Sequence, residues 1–103
     1  MTKPKQPPNL NLKITLSKNL HWRNKHCNGN LSVKPSFTVG HLMFRIRALL
    51  LNVSQSEALF CFFGDIHLYP MSESIITIFQ KHQSNNILAV TVTAEAAFGG
   101  HYS

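Results

Sequence analysis

Acid is scarce in this sequence: four Asp and Glu stand against ten Lys and Arg in 103 residues. Glu57, Asp65, Glu73 and Glu95 fall at a strand start, a turn, a helix start and a tail. No two of them have a reason to converge for general acid–base work, so catalysis is not expected. Cysteine is scarcer still, and Cys27 with Cys61 cannot form a disulfide scaffold. Cys61 sits inside LFCFF, where a buried reduced thiol is expected. Long apolar runs are missing as well. Leu42–Leu51, broken by Arg45 and Arg47, and Ala58–Phe63 fall short of the roughly 20 residues a membrane span needs. The opening MTKPKQPPN has no apolar stretch behind its lysines, so a secretory signal is not expected either. A reducing cytoplasmic setting follows as the expectation, in which the sequon Asn52-Val53-Ser54 would stay unglycosylated.

What is present fits one small domain. A chain of this length buries roughly two-thirds of its unfolded surface, enough to fold without staples. A content of 44% hydrophobic and 10% aromatic residues excludes full disorder. The formal net charge of +6 suggests attraction to nucleic acid, anionic membrane or acidic proteins, but the cations are dispersed and decide nothing alone.

Residues 1–9 hold Pro4, Pro7 and Pro8 with two lysines and read as an extended arm. From Leu10 the chain alternates, with Leu10, Leu12, Ile14 and Leu16 on one face, which predicts a strand with one buried side. Residues 17–30 carry turn formers and positive charge and read as a long loop. Leu31–Lys34 reads as a short strand stopped by Pro35, antiparallel to the first. Thr38 is a natural N-cap for a helix whose stripe is Val39, Leu42, Ile46, Leu49 and Leu50, closed at Asn52. Phe37 is placed to staple against Leu42. Glu57–Phe63 reads as a central strand, Gly64-Asp65 as a turn, and Ile66–Leu68 as a brief further strand before Pro70. A second helix is expected with Ser72 as N-cap, a stripe of Ile75, Ile78 and Phe79, and Lys81 and His82 in its last turn. Ser84-Asn85-Asn86 turns the chain into a final strand, Ile87–Thr93. The architecture is α+β: a small mixed sheet with one main amphipathic helix and a second short helix. This element order is that of the ubiquitin fold.

Several side-chain groups invite a chemical reading. Cys61 with a histidine could form a nucleophile–base pair, but its apolar run argues for packing. His21, His26 and Cys27 share one loop, yet no second ligand pair follows at zinc-finger spacing, so no metal is expected. His67 and His82 read as ordinary surface or helix-end histidines. Trp22 among Lys18, Arg23, Lys25 and Lys34 resembles a nucleic-acid surface, but no RNA motif or basic recognition helix accompanies it. Among Phe60, Phe62 and Phe63, both strand parities are represented, so one ring could be left exposed for docking. The ending TAEAAFGGHYS places Phe98, Gly99 and Gly100 directly after the last strand.

The run from Glu57 to Gly99 resembles the ubiquitin-like modifiers of autophagy, most closely the branch called autophagy-related protein twelve. ALFCFF is similar to that family's aromatic strand, and LYPMSESIITIF to its proline-containing loop and second helix. ILAVTVTAEAAFG is similar to its last strand and aromatic-glycine ending, and LSVKPSFTVGHLMFRIRALL to its second strand and main helix. The resemblance implies a ubiquitin-like β-grasp over residues 10–94, with 95–103 as a flexible tail carrying the conjugation glycine.

It further implies a non-enzyme without cofactors, joined by an isopeptide bond to a partner's lysine after activating and conjugating enzymes have handled its C-terminus. Gly99 would be the joining residue, Gly100 the alternative by analogy with double-glycine endings, and Phe98 the aromatic of tail recognition. His101-Tyr102-Ser103 follow the glycines and would require a tail-processing cysteine protease. The conjugate would promote lipidation of the sister modifier at autophagosome precursor membranes, associating with membrane only through the conjugate and not with nucleic acid. The lipid-conjugated sister branch shares the ending but carries two helices before its first strand, for which nine residues are too few. A non-conjugated ubiquitin-like interaction module is the third alternative.

Overall fold

Alternating and helical apolar spacing produce four strands and two helices in a computed structural model that describes residues 8–54, 56–64 and 66–94. In chain order these are β1 (Leu10–Leu16), β2 (Asn30–Val33), α1 (Val39–Leu49), β3 (Leu59–Phe63), α2 (Ile75–His82) and β4 (Leu88–Ala94). The sheet runs β2-β1-β4-β3. β1 pairs antiparallel with β2 and parallel with β4, and β3 closes the far edge antiparallel to β4. A long crossover is needed to make β1 and β4 parallel neighbours, and both helices lie within it. This mixed sheet with its crossing helix is a ubiquitin-like β-grasp.

The registers Leu12↔Leu88, Ile14↔Val90 and Cys61↔Val92 bring the apolar parity of three strands to one face. Val39, Leu42 and Ile46 of α1 close over that face, while Ile75, Ile78 and Phe79 of α2 extend the core. Leu42, Ile46, Phe63, Leu88, Val90 and Val92 are wholly inaccessible. Each such side chain contributes about 1.5–3 kcal/mol relative to exposure. No helix among the described residues is long and apolar enough to cross a membrane.

The N-terminus of α1 is closed by a capping box. Thr38 Oγ1 accepts the His41 N–H at 3.2 Å, and His41 Nδ1 accepts the Thr38 N–H at 3.1 Å. Histidine thus performs the reciprocal bond that Glu or Gln usually supplies. Phe37 sets its ring edge-on to His41, with 5.5 Å between centroids, and packs against the core. At the other end Leu50 is the C-cap and Asn52, at φ 58°, turns the chain.

The second helix begins later than its sequence suggests. Ser74, not Ser72, is the N-cap, and its side chain makes no capping bond. Residues 71–74 are held against the start of α1 instead: Val39 N–H donates to Glu73 O, Gly40 N–H to Met71 O, and Ile75 N–H to Phe37 O. Residues 71–73 form a turn closed by the Glu73 N–H on Pro70 O, Ser74 bridges to Thr38, and this tertiary pairing overrides the local cap signal.

The expected strand over 66–68 shrinks to one bridge between Phe63 and His67, whose backbones exchange both hydrogen bonds. Gly64 at φ 64° makes that turn tight, and Pro70 follows too closely for a ladder to form. β3 likewise starts at Leu59 rather than Glu57, because Arg47 takes the Glu57 carbonyl at 2.9 Å and that of Ser54 at 3.0 Å. Between α2 and β4, Asn85 and Asn86 both adopt positive φ in a two-residue hairpin closed by Ser84 and Ile87.

Candidate functional site

Two places on this scaffold can meet a partner: the end of the sheet where the chain leaves β4, and a groove beside β2. The first is set by the parallel pair. Leu16 lies opposite Val92, and Ser17 N–H donates to Val92 O at 2.9 Å, so β1 ends where β4 ends. The loop that leaves β1 therefore begins beside Ala94, the last described residue of β4. A cleft of about 250 Å³ joins them, lined by Asn19, Leu20 and His21 together with Leu51, Glu57 and Ala94. Phe98, Gly99 and Gly100, the conjugation and recognition residues named from sequence, lie outside the described residues. Ala94 fixes only the point from which they depart.

The loop over 17–29 is anchored by its backbone. Leu20 is buried, Trp22 bridges to Leu50, Arg23 N–H donates to Leu49 O, and Leu51 N–H donates to His21 O. Asn24 and Asn28 each fold a short turn by accepting the N–H two residues on, from His26 at 2.8 Å and Asn30 at 3.0 Å. Gly29, at φ 86°, accepts the Ile14 N–H at its carbonyl oxygen and lies so close to β1 that a Cβ would strike the Ile14 carbonyl. Lys18, His21, Arg23, Lys25 and His26 remain exposed around this frame. His21 and His26 point into solvent and Cys27 is half-buried, and among the described residues no three potential ligands converge on a metal.

The second place is a groove of about 570 Å³ between the end of β2 and α1, lined by Lys34, Phe37, His41, Phe44, Arg45 and Ala48. Its floor is apolar and its rim cationic. Among the described strands β2 lies at one edge of the sheet, and Lys34, the residue that follows it, lines this groove. Phe44 is 79% exposed, more than any other large apolar side chain among the described residues. Sequence reasoning sought a docking aromatic in the Phe60–Phe63 cluster and missed this one. Phe63 is fully buried, while Phe60 and Phe62 are half-buried on the outward parity of β3. The available signal was Phe44's position two residues from both Leu42 and Ile46, which turns it well away from their stripe.

The remaining singled-out groups are structural. Cys61 is buried, and loss of solvation pushes its thiol pKa up from 9.0 to about 12, so it stays neutral and unreactive at physiological pH. His67 and His82 are not independent: their rings stack at 4.6 Å, and His82 Nε2 lies 2.6 Å from the Tyr69 hydroxyl. The contact pins the 66–70 segment to the end of α2.

No family model matches this chain, and no curated protein matches it in sequence. A solved structure does. The crystal structure of Trypanosoma brucei ATG8 superposes with a TM-score of 0.74, covering 90% of this chain and 78% of that one at 21% identity. The fold is shared. At that identity the likeness establishes the β-grasp and nothing finer.

Proposed function

We propose that this chain is a ubiquitin-like protein modifier of autophagy, joined through its C-terminal region to a lysine of a partner protein. The observation that carries the reading is the place of the tail. In a β-grasp with the fold of T. brucei ATG8, β4 ends at Ala94, and Phe98-Gly99 follow within five residues. Gly99 is the joining residue in this reading and Gly100 the alternative.

A processing protease hydrolyses the peptide bond after the glycine and frees its carboxylate. An activating enzyme then condenses that carboxylate with ATP, releasing pyrophosphate and leaving an acyl adenylate. A cysteine thiolate displaces AMP to give a thioester, and the lysine ε-amine displaces the thiol to give the isopeptide bond. The chain is substrate throughout, and glycine suits the part because no Cβ obstructs a narrow catalytic crevice. The protein is cytoplasmic in this reading and reaches autophagosome precursor membranes in the conjugate, where it promotes lipidation of the sister modifier. The groove beside β2 would take an extended partner segment that adds to the strand edge, seats an apolar side chain against Phe37 and Phe44, and meets Lys34 and Arg45 with carboxylates.

A second reading, attachment to phosphatidylethanolamine, is favoured by one observation: His101-Tyr102-Ser103 follow the glycines, as in modifiers made with a trimmed extension. Substitution separates these possibilities. Gly99→Ala should abolish the higher-mass adduct in cells, and Gly100→Ala should spare it. An adduct released by phospholipase would replace the lysine with the lipid. Full cellular function of the double variant would leave only a non-conjugated interaction module.

A further inference from the structure

We infer that the basic loop over residues 17–29 is a docking surface for an acidic patch on the enzyme that activates the C-terminal carboxylate; the inference rests on the modifier reading above. Three observations place it there. The loop starts at Ser17, whose N–H is bonded to Val92 O, and residues 19–21 share a cleft with Ala94, so the loop that carries these charges begins beside the departure of the tail. Lys18, Arg23 and Lys25 are exposed, as are His21 and His26 beside them, and none makes a salt bridge among the described residues. Glu57 is the carboxylate that shares this cleft, so the local balance stays positive.

The loop is also presented rigidly. Trp22, Arg23 and His21 are tied by backbone bonds to the end of α1, and the Arg23 guanidinium reaches Leu50 O at 3.3 Å. Cations held on a fixed frame lose little freedom on meeting a complementary surface. The same frame argues against the other anionic partners. Trp22 is half-buried against the core, so its ring is not an open platform on which a base could stack. Among the described residues the exposed large apolar side chains Phe44, Ile66, Leu68, Met71 and Ile87 lie outside this loop and its cleft, and Leu51 alone borders it, a single side chain where a lipid surface needs an apolar face. An acidic protein surface beside the path of the tail is the partner that remains.

Electrostatic docking of this kind raises the rate of productive encounter, falls with ionic strength, and leaves the chemical step untouched. The test is thioester formation by the activating enzyme of the same cell, using chains ending at Gly99 and at Gly100. It is measured against modifier concentration at low and at high salt. Lys18→Glu/Lys25→Glu should raise KM about tenfold at low salt, keep kcat, and flatten the salt dependence of the native chain. Lys18→Gln/Lys25→Gln should fall between. Lys81→Glu, in the last turn of α2, should match the native chain, and all variants should keep its melting temperature.

Unchanged KM in the Lys18/Lys25 variants, or a loss confined to kcat, overturns the inference. So does unchanged KM accompanied by lost binding to phosphatidylserine vesicles or to an oligothymidylate, which would assign the loop to membrane or nucleic acid. If the native chain forms no thioester with either ending, the modifier reading fails first and the docking surface falls with it. Thioester formation by the native chain with indifferent variants sinks the docking surface alone.

Discussion

The layer between α1 and the sheet and the loop from β1 to β2 are neighbours held by different forces. In the layer, Leu42, Ile46, Val90 and Val92 are inaccessible, and no polar or charged residue among those described is buried. In the loop, backbone bonds to Leu49 and Leu51 and asparagine turns carry the shape, while Lys18, Lys25 and His26 stay in water. The layer fixes one structure because hydrophobic burial scales with area. The loop inherits its position from that structure and is free to vary its charges. The docking surface proposed above therefore lies where the core has least to say.

The sharpest break of this contrast is Phe63→Ala. Phe63 is fully buried, and its loss should cost about 3–5 kcal/mol, read as a fall in the urea midpoint. A cost below about 1 kcal/mol would mean that the layer can collapse around the void.

Cys61 tests the same layer by pH. Its folded pKa is raised from 9.0 to about 12, so between those values the unfolded chain has lost a proton that the folded chain retains. This contribution is fully present below pH 9.0 and is lost as pH rises toward about 12, at up to about 1.4 kcal/mol per unit. Denaturation series across that window should show a shallower decline for Cys61→Ala than for the native chain, whatever the substitution does to absolute stability. Equal slopes would contradict the burial.

Gly29→Ala moves the test to the loop. With φ at 86° and the Ile14 carbonyl in the way, the substitution should cost about 1–3 kcal/mol and weaken amide protection at Ile14. Protection unchanged at Ile14 would show that the loop is not fastened to β1 there.

Phe44→Ser should have the smallest effect on stability, within about 0.5 kcal/mol, because the ring is already in solvent. Calorimetry against an extended acidic peptide of the kind proposed for the groove should nevertheless show binding weakened about tenfold, since aromatic anchors carry much of such energy. A large loss of stability with intact binding would return Phe44 to the core.

Much of the layer was legible in the sequence because its signals are local. Alternation in β1 and β4, the Val39–Leu42–Ile46 stripe and Thr38 as the cap each depend on residues a few positions apart. What escaped was created by long-range contact. Ser72 lost the cap to Ser74 because the preceding segment pairs with α1, and His67 met His82 only after the chain had turned and formed α2. The groove at Phe44 belongs to β2 and α1 jointly, and neither element announces it alone. Gly99 stands out in the sequence only as a motif after a strand, and it lies outside the described residues.

The mass of the mature protein recovered from cells tests the modifier reading most directly. The prediction is a chain ending at Gly99 or Gly100, accompanied by a heavier species in which that glycine is bonded to a lysine of a second protein. A chain intact to Ser103 with no heavier species would contradict it.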